Sequence, residues 1–344
     1  MCAQQVRKRK QVTVQYVTNG KWTESLSRGF IYREMYLRLQ GAPTLTGGNN
    51  TLANTRKGDE WQVVKKIELI ANGVDVLRSI DGNALWWLNL LWYGVAPHIT
   101  FTIGDGATAN PAFDSTLILP FWLPQSLHPI DTALNSGVLS SLEIAITWGT
   151  FTDINSAATA WTTNPTLEVY TCESFGAQDA NFSQFRQWVI QKDIPATNSR
   201  FQVDLPVGNI FRGFLLNFSN GTTGNPALDG DSNAVLNNFK IISGTTVFAD
   251  MQETPLWDGE MTRRSVQRVW TGAAGGSYTA DRRGTTNDRT GWYLYDHVTD
   301  GFMSEAIDTL GFSELKLELD VTKPANTTTL FVYPFEIIPV RKAA

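Results

Sequence analysis

Residues 66 to 94 read KIELIANGVDVLRSIDGNALWWLNLLWYG and contain the signals of a strand, a turn, a second strand and a capped helix. Asn72-Gly73 separates two apolar segments, and this dipeptide accommodates the positive φ angles of a two-residue hairpin turn. Asp81 is suited to cap a helix running from about Gly82 to Tyr93, and Gly94 is suited to end it. The stretch therefore predicts a β-hairpin followed directly by a helix.

The predicted helix is apolar on nearly every side. Such a helix must be buried all round, either in a core or against a neighbouring subunit. Aromatic side chains dominate both kinds of contact, and we expect core packing to be the main role here. The residues expected to pack are Trp86, Trp87, Leu88, Leu91 and Trp92.

Most of the remaining chain has the alternating pattern of β-strands. Apolar side chains occupy every second position in residues 12–16, 35–39, 142–146 and 315–319. This period of two is typical of antiparallel sandwiches, in which one sheet face is buried and the other is exposed. A second helix is predicted to begin at Thr254-Pro255, where a capping hydroxyl precedes a proline. The predicted fold class is all-β.

The two halves of the chain carry similar elements in the same order. Arg33 and Arg212 lie in the similar segments GFIYREMYL and GNIFRGFLL, and the strands at Leu142 and Leu315 are also alike. Two unrelated β-domains could share such strands, but the common order favours a duplication. Eight antiparallel strands in about 170 residues are typical of a jelly roll. We therefore predict two tandem eight-stranded jelly rolls, each with a flanking helix, at 11–172 and 199–340, joined by a linker at 173–198.

The composition excludes several classes of protein. The 344 residues are 42% hydrophobic and 11% aromatic, with 12 Trp, which excludes intrinsic disorder. The net charge of −5 is unlike that of a strongly basic DNA-binding domain. Cys2 and Cys172 are too few for a disulfide scaffold or a cysteine zinc site. We expect no signal peptide, and no transmembrane helix because the longest apolar run is short of the about 20 residues that a span needs.

The sequence contains no convincing catalytic or metal-binding pattern. His98, His128 and His297 lack the spacing of a zinc site, and the adjacent Asp296 and His297 should point to opposite faces of a strand. Residues 229–233, DGDSN, begin like a calcium loop but lack the glycine and glutamate that complete one. No nucleophile elbow or phosphate-binding loop occurs. We therefore expect no enzymatic activity, no metal site and no cofactor.

A tandem of two jelly rolls, each with a helix after a central hairpin, resembles the double jelly-roll major capsid proteins of the tectivirus–adenovirus lineage. Residues 66–94 are especially similar to those of small membrane-containing icosahedral bacteriophages of the corticovirus and finnlakevirus type. The resemblance extends over about residues 12–339. It implies a structural subunit of the virion, forming pseudo-hexameric homotrimers that tile an icosahedral shell around an internal membrane and genome, with assembly in the host cytoplasm. It implies as partners neighbouring trimers, penton or spike proteins, minor capsid proteins and lipid, and no specific nucleic-acid sequence.

Basic residues cluster near both ends of the chain, as Arg7, Lys8, Arg9 and Lys10 and as Arg341 and Lys342. One interpretation is a pair of solvated tails, residues 1–10 and 341–344. In the resembled family the termini lie at the base of the shell, which would direct these six residues toward lipid phosphates or the genome. Each basic residue near an anionic membrane contributes about 1 kcal/mol of binding.

Two other function classes remain open. A tandem jelly-roll carbohydrate-binding protein, similar to a lectin, could hold a sugar on its loops or on Trp122, Trp148 and Trp161. A β-sandwich hydrolase is the third class, but no acid and base can be paired from one sequence. Self-association distinguishes a shell protein from a sugar-binding module that acts as a monomer.

Overall fold

The computed structural model describes residues 5–45, 59–94, 97, 99–101, 110–123, 132–175, 183–221, 230–231, 235–264, 291–299, 301–324 and 327–339.

The first half of the chain forms a sandwich of two antiparallel sheets. Its elements are β1 (Gln5–Gln15), β2 (Lys21–Ser25), β3 (Ile31–Leu45), β4 (Val64–Ala71), β5 (Asp75–Ile80), α1 (Gly82–Tyr93), β6 (Ile99–Phe101), β7 (Phe113–Pro120), β8 (Leu134–Asn135), β9 (Leu142–Trp148) and β10 (Ala158–Phe175). One sheet has the order β1-β10-β3-β7-β6, with β8 paired to β3, and the other has the order β2-β9-β4-β5.

The second half forms a sandwich of the same kind. Its elements are β11 (Gln184–Arg186), β12 (Ile190–Ile194), β13 (Asn198–Asp204), β14 (Ile210–Gly221), β15 (Gly230–Asp231), β16 (Leu236–Ser243), β17 (Thr246–Gln252), α2 (Glu253–Arg263), β18 (Trp292–Asp296), β19 (Ile307–Asp308), β20 (Lys316–Val321) and β21 (Thr327–Ile338). In one sheet, β21 pairs with β11, β12 and β14, and β14 also pairs with β15, β18 and β19. The other sheet has the order β13-β20-β16-β17.

The two sandwiches have the same strand order, as the predicted duplication requires. The series β12-β21-β14-β18 corresponds to β1-β10-β3-β7, and β13-β20-β16-β17 corresponds to β2-β9-β4-β5. Gly29 and Gly208 precede β3 and β14, and both have a φ of 91°, a value that L side chains rarely adopt. Each half therefore has the jelly-roll arrangement of a four-stranded sheet packed on a larger sheet, of six strands in the first half and seven in the second, and the predicted all-β class is confirmed.

The predicted hairpin and helix are present in residues 66–94. Asn72 and Gly73 both have positive φ, and the Val74 N–H donates to the Ala71 carbonyl at 3.1 Å. The Asp81 carboxylate accepts from the Ala84 N–H at 2.8 Å and caps α1, while Gly94 ends the helix in the left-handed conformation.

Three boundaries differ from the prediction. The basic run is not a free tail from residue 5 onward, because Gln5–Gln15 is one continuous strand paired with β10. The predicted linker at 173–198 includes the end of β10 and both β11 and β12, which pair with β21 and so belong to the sheets. The second helix begins at Glu253, one residue before the predicted cap Thr254.

The sheet formed by β14, β18 and β21 is buried on both faces. Phe214, Tyr293 and Val332 lie in the core of the second sandwich, whereas their neighbours along the strands point the other way. Leu215, Trp292, Leu294, Tyr333, Phe335 and Ile337 belong instead to the larger core, which also contains α1 and the interior of the first sandwich. The two halves of the chain are therefore joined by packed apolar side chains.

Candidate functional site

The contact between the two sandwiches is centred on α1. All five residues expected to pack are buried: Trp86, Trp87, Leu88, Leu91 and Trp92. Trp87 stacks on Trp292 with ring centroids 5.9 Å apart, and Trp92 lies 5.2 Å from Phe335. The helix packs within one chain, between its own two sandwiches.

Two polar side chains fix the position of α1. The Asn89 amide donates to the Ile118 carbonyl and accepts from the Ile118 N–H, both at 2.8 Å, so the helix covers part of β7. The Tyr333 hydroxyl donates to the Asp81 carboxylate and ties the start of α1 to β21. Burial raises the pKa of Asp81, although the Tyr333 and Ala84 hydrogen bonds oppose this shift. The sequence pattern did not identify these bonds, because their partners lie in distant segments.

Arg78 lies at the same junction and is fully buried. Its guanidinium donates to the Pro120 carbonyl at 2.5 Å and covers the Phe185 ring at 3.9 Å, while Nε and Nη1 have no hydrogen-bond partner among the described residues. Burial lowers the pKa of Arg78 to about 9. No described carboxylate pairs with Arg78, and a buried cation without one is costly, so Arg78 opposes the stability that its apolar neighbours provide.

The basic run of β1 alternates between two faces of the strand. Arg7 and Arg9 form ion pairs with Glu173 at 2.7 and 3.3 Å, whereas Lys10 pairs with Glu168 at 2.5 Å. Lys8 donates to the Tyr36 hydroxyl at 2.9 Å. The four cations are thus partly balanced within the sheet, with Lys8 and Lys10 exposed and Arg7 and Arg9 half-buried. Arg341 and Lys342 lie outside the described residues.

Glu173 is the acceptor that anchors this run. Burial opposes ionisation of its carboxyl, but the bonds from Arg7 and Thr171 and the charge of Arg9 outweigh burial and lower its pKa. The charges of β1 are therefore compatible with a paired strand, which explains why a charged sequence forms regular structure here.

A second charged cluster lies in the second sandwich and has no counterpart among the predicted sites. Arg212 holds Asp296 through two bonds of 2.9 and 2.8 Å, and Arg264 reaches the same carboxylate at 3.0 Å. Arg264 also pairs with Glu260 at 3.1 Å. All four side chains are buried. The repeat comparison identified Arg212, but its partner Asp296 is 84 residues away along the chain, beyond what local patterning can pair.

The other predicted site features have plain structural roles. The ring of His297 contacts the Tyr295 hydroxyl at 2.7 Å rather than Asp296, as expected from the opposite faces of a strand. His98, His128 and most of residues 229–233 lie outside the described residues. Within the part of the chain that the structure describes, no group of three or more His, Cys, Asp or Glu could hold a metal ion. In the same part, no helix is both long and apolar enough to cross a membrane.

The tryptophans considered as a sugar platform are used for packing. Trp148 is buried, and its ring lies 5.6 Å from that of Tyr16. Trp161 packs against Tyr16 and Phe113, and Trp122 lies under the Arg33 guanidinium. This arrangement gives the carbohydrate-binding alternative no support.

Comparison with known proteins gives matches at the level of structure. No protein-family model matches the chain, and no curated protein matches its sequence. The crystal structure of the STIV major capsid protein superposes with a TM-score of 0.72 at 12% identity, covering 97% of both chains. The major capsid protein of bacteriophage PM2 has a TM-score of 0.59 at 13% identity, covering 97% of this chain and 98% of the other. The capsid of the PBCV-1 virus gives 0.63 at 14% identity, covering 97% and 94%.

These proteins share little sequence with the chain, but their structures align with almost its whole length and with almost all of their own. The similarity to small membrane-containing phages in particular stays a prediction. The coverage, the duplicated strand order and the helix after each central hairpin agree with one another. The chain therefore has the double jelly-roll fold of viral major capsid proteins.

Proposed function

We propose that this chain is a viral major capsid protein, a structural subunit that forms homotrimers and tiles an icosahedral shell around an internal membrane and the genome. The duplicated sandwich carries the proposal. Two similar sandwiches in each chain give a trimer six similar blocks, so repeated side-to-side contacts can fill a nearly hexagonal lattice. In this proposal, further trimers and the proteins of the vertices are its partners in the virion, with assembly in the host cytoplasm.

The packing of α1 supports this role. A lattice subunit must hold its two sandwiches in one arrangement, and Trp87 and Trp92 join them through buried aromatic contacts. The matching structures include viral capsid proteins, one of them from a bacteriophage.

The native mass of the purified full chain tests the proposal. Light scattering should give three times 38.2 kDa, about 115 kDa, and negative-stain images of the same fraction should show roughly hexagonal particles or closed shells. A 38.2 kDa monomer that does not assemble at any concentration or salt would contradict it.

A further inference from the structure

Arg78 differs from the other buried arginines of the described residues in the acceptor that it meets. Arg212 and Arg264, which are also buried, share the Asp296 carboxylate at 2.8 and 3.0 Å. Arg78 donates instead to a backbone carbonyl, which is a neutral acceptor. Its positive charge is therefore enclosed in the protein without a described negative charge to balance it.

The guanidinium of Arg78 also has hydrogen-bond donors to spare. Nη2 donates to the Pro120 carbonyl, whereas Nε and Nη1 have no partner among the described residues. The centroid of the Phe185 ring lies 3.9 Å from the guanidinium carbon, so the ring covers one face of this planar group. Because guanidinium N–H groups point outward within that plane, the ring leaves the edges of the group available. A small acceptor can approach along either edge.

A second buried side chain with free polar groups lies beside Arg78. Arg78 and Gln187 form a parallel β-bridge, in which the Gln187 N–H donates to the Leu77 carbonyl at 3.1 Å and the Ser79 N–H donates to the Gln187 carbonyl at 2.8 Å. Residues opposite each other in a bridge direct their side chains to the same face. Gln187 is fully buried, and its amide nitrogen and oxygen have no partner within the described ranges. The bridge therefore places guanidinium and amide donors on one face.

The neighbouring tyrosine does not neutralise Arg78. Burial lowers the pKa of Arg78 to about 9, so the side chain is still a cation at pH 7. Tyr93 interacts electrostatically with it, but burial raises the pKa of the Tyr93 hydroxyl, which therefore stays protonated and uncharged at this pH. Water could satisfy free N–H groups but would leave the charge unbalanced. A buried charge without a counter-charge is strongly destabilising, so a ligand that supplies one would bind here.

The duplication shows that a jelly roll of this chain does not need a cation at this position. Leu69 pairs with Arg78 in the first sandwich, and in the second Ile241 pairs with Ala249. Arg78 and Ala249 each precede the cap of the following helix by three residues. The second sandwich thus forms with an alanine in the equivalent place. Arg78 therefore serves the junction between the sandwiches rather than the sandwich itself.

We propose that Arg78 and Gln187 bind one small monovalent anion, a halide such as chloride, inside the junction between the two sandwiches. The anion accepts from the guanidinium of Arg78 and from the amide N–H of Gln187. A halide suits this site because it accepts from several directions and requires no donor or acceptor of fixed geometry. Arg78 belongs to β5 of the first sandwich, and Gln187 follows β11 of the second. The bound anion therefore helps to hold the two halves together.

Urea denaturation of the full chain tests the site, with sodium chloride replacing sodium gluconate at constant total salt and constant protein concentration. Urea is used because guanidinium chloride would itself supply the ion. Above the dissociation constant, the unfolding equilibrium constant should fall about tenfold for each tenfold rise in chloride, since one anion is released when a chain unfolds. A wild-type chain with the same stability in both salts would overturn the proposal.

Arg78→Met should abolish the chloride dependence and leave the chain folded, because an apolar side chain of similar length suits the buried position. Arg200→Met is the matched control, since it makes the same replacement where the arginine side chain is 73% exposed. This control should keep the full chloride dependence of the wild type. Chloride dependence that persists in folded Arg78→Met, or that Arg200→Met also removes, would overturn the proposed site.

Bromide provides a direct measurement on the wild-type protein, which does not depend on any variant folding. Anomalous scattering from crystals grown in sodium bromide should show a peak in hydrogen-bond contact with the guanidinium of Arg78 and the amide of Gln187. Bromide peaks confined to the protein surface would overturn the proposal.

Discussion

Asp296 provides the negative charge shared by Arg212 and Arg264 in the second sandwich. Burial opposes its ionisation, but the two guanidinium groups outweigh burial and lower its pKa. Removing one partner of a buried ion pair leaves the other charge without compensation, and this loss typically costs about 3–5 kcal/mol.

We therefore expect Asp296→Asn to lower the free energy of unfolding by about 3–5 kcal/mol, measured by urea denaturation with tryptophan fluorescence. Because the folded pKa lies below the ordinary 3.8, the contribution of the carboxylate is complete above that pH. It is lost only as the pH falls further, through the folded pKa. The difference between wild type and variant should therefore be constant from pH 7 to about 5 and shrink in stronger acid.

Asp320→Asn is the control, because it makes the same replacement of a carboxylate by an amide at a partly exposed position. It should alter the free energy of unfolding by less than about 0.5 kcal/mol. Equal losses for the two variants would show that the buried cluster contributes nothing specific to stability.

At the scale of elements, α1 decides how the two sandwiches are joined. Trp87 is buried and stacks on Trp292, so removing its ring takes contacts from both halves of the chain. We expect the wild type to unfold in a single calorimetric transition, and we expect Trp87→Ala to cost about 3–5 kcal/mol and to split that transition into two, since each sandwich keeps its own strands. Trp22→Ala, at an exposed position, should preserve a single transition. An unsplit transition at unchanged temperature in Trp87→Ala would contradict this role of α1.

The elements that follow simple periodicity were predictable. Period-two alternation located β3, β9 and β20, and the caps Asp81 and Gly94 gave both ends of α1. The start of β1 and the strands β11 and β12 were not predicted, because charge or short length conceals their alternation. Those strands are stabilised by neighbours that are distant in the chain, namely Glu173 and Glu168 for β1 and the strand β21 for β12. Local sequence contains no information about these neighbours.

The same limit applied to the candidate site. The apolar surface of α1 predicted burial, and all five residues are buried in the structure. Its partners Trp292 and Phe335 lie more than 200 residues away, so the sequence left open whether the helix packs within the chain or against another subunit. A contact between the two repeats can be identified only from the folded structure of both.

At the scale of the whole molecule, the beginning of the first described strand and the end of the last one lie near the same connection. Gln5 pairs with Phe175, and Gln184 pairs with Ile338, so the first and last strands end where the two sandwiches are connected. We propose that this end faces the membrane or genome, with the part-exposed Arg7 contributing to lipid binding.

Flotation with vesicles of phosphatidylserine and phosphatidylcholine tests this orientation. Arg7→Gln should weaken binding about fivefold, since one basic residue near an anionic surface is worth about 1 kcal/mol, and Arg9 still pairs with Glu173 in the variant. Arg200→Gln, which removes an exposed charge from another sheet, should bind as the wild type does. Wild-type protein that does not bind anionic vesicles at low salt would contradict the proposed orientation but not the proposed capsid function.

The packing of α1 between the two sandwiches of one chain affects the kinetic order of the assembly reaction. In the proposed ring of six sandwiches, three of the six contacts between neighbouring sandwiches form within single chains, when each chain folds, and the covalent linkage of each chain preserves them. The concentration of assembled rings then depends on the third power of the free protein concentration. If the six sandwiches were separate chains, it would depend on the sixth power. A host cell would need far less accumulated subunit before rings appear, and the onset would be less abrupt.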